Sequence, residues 1–187
     1  MTMDATPYDL FEHRHRFSAW AAARAAQRGL TSVEIFCRAL DASEIKSFVH
    51  DHVEDNISAE QFRKLHCNWC LKIVESLEGS GLQDVPFGRA AKLIGVYLKS
   101  MVIVGCYANT DLASVAHPPV DRLLLQELAG QSDVLGEHKK VFRKTAWTEL
   151  SQESYYSLID QLREYVSDGK PFWHLEQHWK GPQNSGD

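Results

Sequence analysis

Apolar residues recur along this chain every three or four positions, the period of a helix face, and nowhere in sustained alternation as a strand would need. Phe17, Trp20, Ala21 and Arg24 fall at this spacing within Tyr8 to Arg28, and Gly29 supplies a stop, which predicts a first helix. Thr31 followed by Glu34 has the capping-box pattern and Ser43 can cap a further segment, so short helices are expected over 32–41 and 44–54. Ser58 opens a longer helix in which Phe62, Leu65, Trp69, Ile73 and Leu77 make one stripe that ends near Gly79. Pro86 and Gly88 mark a turn before the most apolar helix, about 88–105. Asn109 to His117 reads as a loop, and Pro118-Pro119 starts a helix carrying Leu123, Leu124, Leu125 and Leu128. Helical patterns around Lys139–Ala146, over Ser151–Val166 and over Phe172–Trp179 complete the chain. The expectation is an all-α protein: one compact helical domain over residues 1–180 with about seven to eight helices, and a disordered tail over 181–187.

Composition narrows this reading. A chain of 187 residues, 44% hydrophobic, suits one domain with a substantial core. Met1 to Leu10 holds two acidic residues and no Lys or Arg, unlike a secretory leader, so a cytoplasmic location is expected. The longest apolar stretch, Leu93 to Gly105, is broken by Lys99 and Ser100 and falls short of the ~20 apolar residues that span a bilayer. A core helix and no membrane association are expected there. The cysteines, Cys37, Cys67, Cys70 and Cys106, read as free thiols. Cys67-Asn68-Trp69-Cys70 beside His66 has the spacing of half a zinc site, but two thiols inside an amphipathic helix are more often simply buried. His174 and His178, one turn apart, are the other pair with ligand spacing. Neither is a full metal site, and no cofactor is expected.

The net charge of −5 argues against a protein that coats itself with nucleic acid by bulk electrostatics. The charge is nonetheless uneven. Residues 12–46 carry six basic and four acidic side chains and residues 84–144 eight and six, while the remaining stretches are acidic. The first helix concentrates Arg14, Arg16, Arg24 and Arg28, either a solvated face or one that contacts phosphates or an acidic partner.

The segment Val85 to Lys99 is the most informative. Positions 89, 92, 96 and 99 lie along one helical face, so Arg89, Lys92 and Lys99 form a basic stripe on an otherwise apolar helix. Ammonium groups beside apolar surface lose hydration, which lowers a lysine pKa toward the range where the neutral amine is a nucleophile. The plainer alternative is a wet stripe whose lysines extend their heads into water. Downstream, in His117-Pro118-Pro119-Val120-Asp121-Arg122, Asp121 falls in the first turn of the next helix, where free N–H groups favour a carboxylate.

A proline-turn-glycine segment, a helix bearing lysine and a Pro-Val-Asp turn opening the next helix together resemble the helix-hairpin-helix DNA glycosylases, and more closely their 8-oxoguanine-glycosylase-like branch, over residues 85–128. In that family a lysine amine attacks the sugar carbon bearing the damaged base and an aspartate stabilises the developing positive charge. The resemblance implies a helix-hairpin-helix-like turn, a catalytic Lys92 or Lys99 with Asp121, and binding contributions from Arg89, His117, Arg122 and Trp173. It also implies DNA or a modified nucleoside as partner and N-glycosylase or lyase chemistry without a metal. Active relatives usually carry two glycines spaced by one residue where this chain has Phe87 before Gly88, and Ala90 occupies the commonest lysine position. Lys92 precedes Asp121 by 29 residues and Lys99 precedes it by 22, spacings that suit two different forms of the motif. Flat walls for a base are available from Trp20, Trp69, Tyr97, Phe172, Trp173 and Trp179. The rival expectation is a non-catalytic adaptor that docks onto a larger complex in a prokaryotic antiviral defence or DNA-maintenance system; a helical dimerisation module is a third.

Overall fold

The structure, a computed structural model, describes residues 8–181. The described residues form nine α-helices, with a π-helical segment and two 3₁₀ segments, and contain no strand. The helices are α1 (Leu10–Gln27), α2 (Val33–Ala42), α3 (Ile45–His52), α4 (Ala59–Gly79), α5 (Phe87–Leu98), α6 (Asp111–Val115), α7 (Arg122–Gly130), α8 (Gly136–Lys144) and α9 (Gln152–Arg163). A π-helical segment, Lys99–Tyr107, continues α5, and 3₁₀ segments occupy Trp147–Glu149 and Phe172–His178. The expected tail lies outside the described residues except for Gly181.

Local chemistry fixes most boundaries. Asp9, Ser32, Ser58, Thr110, Asp121 and Ser151 each accept a hydrogen bond from a backbone N–H in the first turn of the helix they precede. Ser58 and Gln61 complete a reciprocal capping box. The cap of α2 is Ser32, one residue later than the Thr31 pattern suggested. The segment expected to be loop from Asn109 to His117 contains the short helix α6, nucleated by the Thr110 cap.

Helix α5 is the axis of the fold. Against one side lies α1, whose inward residues Ala19, Ala22, Ala23 and Ala26 are small and buried, so the two backbones approach closely. Against another side lies α4, through Phe62, Trp69, Ile73 and Leu77. Helical structure runs on from Phe87 to Tyr107 with a mean hydropathy of 1.4, enough by length and composition to cross a membrane. Here 61% of that stretch is buried inside the protein, as expected of a core helix. The π-helical segment ends in a kink where Gly105 and Cys106 leave helical geometry, with Cys106 at φ +87°. Gly105 packs closely there, since a Cβ would stand 2.8 Å from the Arg14 side chain and 3.1 Å from the Ser100 carbonyl oxygen.

The helix-hairpin-helix-like turn is not confirmed. Residues 80–86 join α4 to α5, and Phe87 and Gly88 are already the first two residues of α5. Gly88 provides space for packing rather than a hairpin bend: a Cβ there would lie 2.0 Å from the Trp147 carbonyl oxygen, and its N–H donates to the Leu150 carbonyl at 2.9 Å. Gly95, two turns on, has the same function toward the proline segment, since its Cβ would meet Pro119 Cα at 3.1 Å. These two glycines seat Trp147 and Pro119 directly on α5, one on each side of Lys92.

Candidate functional site

Lys92 projects from α5 into a cavity of about 420 Å³. The end of α1 contributes Arg24 and Arg28 to its wall, α5 and its continuation Lys92, Val96 and Lys99, and the proline segment Pro119 and Asp121. Trp147 closes one side, and the C-terminal 3₁₀ segment with the residue after it brings Glu176 and Trp179.

Two ion pairs organise the polar groups. Lys92 Nζ donates to Asp121 Oδ2 at 3.0 Å and to the Pro119 carbonyl at 3.3 Å, and its side chain is only 6% exposed. Lys99 Nζ donates to Glu176 Oε1 at 2.6 Å. Asp121 is fully engaged: Oδ1 accepts from the Leu124 N–H as the α7 cap, and Oδ2 also accepts from the Trp179 indole N–H at 3.1 Å. Both amines also face aromatic rings. Lys92 Nζ is 5.7 Å from the Trp147 ring centre and Lys99 Nζ is 5.1 Å from that of Trp179.

Burial sets the titration of the site. Loss of hydration pushes the Lys92 pKa down, and the charge and hydrogen bond of Asp121 act in the opposite direction. Burial likewise pushes the Glu176 carboxyl up against the opposing effect of Lys99. The cavity thus holds an amine shifted down and a carboxyl shifted up, both chiefly by loss of hydration.

The three residues Lys92, Lys99 and Asp121 are thus brought together, and the pairing distinguishes the lysines: Lys92 belongs to Asp121 and Lys99 to Glu176. The remaining residues proposed for binding lie elsewhere. Arg89 points past the cavity and donates to the carbonyls of Ala26 and Gln27, where it caps the C-terminal end of α1. His117 is buried on the far side of the proline segment, where its Nδ1 shares a hydrogen bond with the Tyr155 hydroxyl at 3.1 Å. Its ring centre lies 4.7 Å from that of His66, the two rings tilted by 49°, and burial holds both imidazoles neutral, His66 with a pKa lowered to about 3. Arg122 is exposed on α7 outside the cavity lining. Trp173 is half-buried, and its indole nitrogen is enclosed without a hydrogen-bond partner.

The flat walls belong to Trp147 and Trp179. Of these, Trp179 stands among the aromatic residues noted in the sequence, whereas Trp147 and Glu176 carry no local motif. Among the described residues, no group of three or more His, Cys, Asp and Glu side chains converges as a metal site. His66 instead faces Tyr156, with Nδ1 3.0 Å from the hydroxyl, and Cys70 Sγ lies 3.7 Å from the same nitrogen. Comparison with protein-family models, curated proteins and solved structures found no match to this chain.

Proposed function

We propose that the cavity carries out amine-nucleophile chemistry on DNA or a modified nucleoside, as an N-glycosylase with associated lyase activity, with Lys92 as the nucleophile and Asp121 as its electrostatic partner. The observation that carries this reading is the position of the Lys92 nitrogen: withdrawn from water, 3.0 Å from a carboxylate, and open to a cavity with flat walls. A neutral Lys92 amine attacks the sugar carbon that bears the base. The carbon–nitrogen bond to the base breaks, and its electron pair leaves with the base, which takes up a proton. The Asp121 carboxylate stabilises the positive charge that builds on the sugar as that bond lengthens. Ring opening of the sugar–lysine adduct then gives an imine. Trp147 and Trp179 can flank an extruded base.

Borohydride trapping tests this, using oligonucleotides that contain an abasic site or an oxidised purine. The expected result is a covalent adduct with the native protein, abolished in Lys92→Gln and retained in Lys99→Gln. The absence of an adduct with every such substrate would eliminate the catalytic reading.

A second reading is favoured by one feature: both lysines already have carboxylate partners, as a purely structural pair would. In that reading the chain is a non-catalytic adaptor within a larger complex, and substitution of Lys92 or Asp121 changes stability alone.

A further inference from the structure

The outer face of α1 is chemically unlike the rest of the molecule. No acidic residue occurs from His13 to Val33, although the whole chain carries a net charge of −5. Within this stretch stand Arg14, Arg16, Arg24 and Arg28. Glu12 engages Arg16, and Arg14 lies over the Tyr107 ring. Arg24 and Arg28 are exposed, and among the described residues neither has an ion pair or a side-chain hydrogen bond.

Two large aromatic side chains share that face. Phe17 is 61% exposed and Trp20 53%, with ring centres 6.1 Å apart. Positions 17, 21, 24 and 28 follow one another at helical spacing along a single stripe, with Trp20 at its edge. The stripe therefore begins at two exposed rings and ends at the two arginines that line the Lys92 cavity. From Phe17 to Arg28 it extends roughly 16 Å at the helical rise of ~1.5 Å per residue, a reach of about three to five nucleotides.

Stacking rings followed along one face by unpaired guanidinium groups form a combination that can hold an unpaired polynucleotide strand. The rings accept any base face-on, and the cations track phosphates. A base already stacked in a duplex offers no free face to Phe17 or Trp20. An acidic protein partner would account for the arginines but does not offer the succession of flat faces that two neighbouring exposed rings can stack.

We propose that the outer face of α1, from Phe17 and Trp20 to Arg24 and Arg28, binds a single-stranded nucleic acid segment and leads it into the Lys92 cavity. This deepens the function proposed above, because it defines the substrate as a strand rather than a free nucleoside.

Fluorescence anisotropy with a labelled 12-nucleotide oligothymidylate, its duplex form and thymidine monophosphate as competitor tests this on the full chain. Single strand should bind more tightly than duplex, and the mononucleotide should compete poorly. Phe17→Ala and Trp20→Ala should each weaken binding roughly ten-fold, and Arg24→Ala with Arg28→Ala should reduce the slope of log affinity against log salt by about 1.4. Lys140→Ala, an exposed change on α8, should leave binding unaltered. Lys92→Gln should still bind the strand, so a failed borohydride experiment with intact strand binding would overturn the chemistry and leave this surface standing. Conversely, adduct formation undiminished in Trp20→Ala and in the double arginine variant at limiting protein would overturn this surface and leave the chemistry. Lack of strand binding at low salt, or a Trp20→Ala effect seen only on self-association, would refute the proposal.

Discussion

Replacing Lys92 by Met and Asp121 by Asn together should leave the protein as stable as before or more so, whereas replacing Asp121 by Asn alone should destabilise it severely at neutral pH. The asymmetry follows from the burial of the pair. At 3.0 Å the two charges attract by roughly 5 kcal/mol at an effective dielectric of ~20. Removing each ion from water costs several kcal/mol, so the pair as a whole sums to near zero. The double variant Lys92→Met with Asp121→Asn eliminates both terms and puts apolar volume in place of the lysine, for an expected change between zero and ~4 kcal/mol of added stability. Lys92→Met alone leaves the Asp121 carboxylate with only its Leu124 and Trp179 donors. Asp121→Asn keeps an acceptor for the Leu124 cap but leaves a buried ammonium without a counter-charge. The variant can relieve this only by deprotonating Lys92, which costs at most ~1.4 kcal/mol per pH unit below the unfolded pKa of ~10.4. That ceiling is about 4.6 kcal/mol at pH 7 and about 1.9 at pH 9. The sign is fixed by linkage: with the folded-state pKa depressed, the unfolded chain binds more protons in this window, so the variant regains stability as pH rises. Urea unfolding of the native chain, both single variants and the double variant at pH 7 and pH 9 measures each quantity. A loss above ~2 kcal/mol for the double variant, or an Asp121→Asn penalty that does not shrink at pH 9, would refute the account of the Lys92–Asp121 pair as buried charges retained despite their neutral contribution to stability.

Two further outcomes follow from the packing. Gly88→Ala should cost about 3 kcal/mol or more in chemical denaturation, because its Cβ would overlap the Trp147 carbonyl and the backbone must move, whereas Gly79→Ala, with open space around it, should be neutral or slightly stabilising. Stability should also fall on mild acidification. His66 has a folded pKa lowered to about 3 against ~6.5 unfolded, so the unfolded chain binds the extra proton between these values, and urea titration should register a loss of about 2 kcal/mol from pH 7 to pH 5, with His117 acting in the same direction. A flat profile over that interval would mean that the two imidazoles are not held neutral in the folded core.

The helices were legible because their signals are local. The Ser58 start, the Phe62–Leu77 stripe and the Gly29 stop each depend on residues close in sequence, and each marks an observed feature. Where a stretch is short or apolar all round, such signals weaken. Helix α6 has only five residues, and its Thr110 cap is hidden in what reads as a loop. The continuation of α5 into a π-helical segment, and the kink at Gly105 and Cys106 that ends it, leave no signature in the apolar periodicity.

The candidate site divides along the same line. The basic stripe of α5 and the carboxylate after the paired prolines are visible in sequence because one helix register and one cap position specify them. Which lysine faces Asp121 is not, since 29 and 22 residues of intervening chain suit it equally until the path of the proline segment is known. That path is set by Gly95, which lets Pro119 rest on α5 beside Lys92, so the residue that selects Lys92 is a glycine with no chemistry of its own. Glu176 and Trp179 then arrive from the far end of the chain, where Glu176 takes up Lys99 and Trp179 binds the same carboxylate oxygen as Lys92. The two ion pairs are therefore one assembly: displacing the C-terminal segment would free Lys99 and remove a donor from Asp121 together. A ligand that displaces that segment therefore changes the electrostatics at Lys92 without touching it.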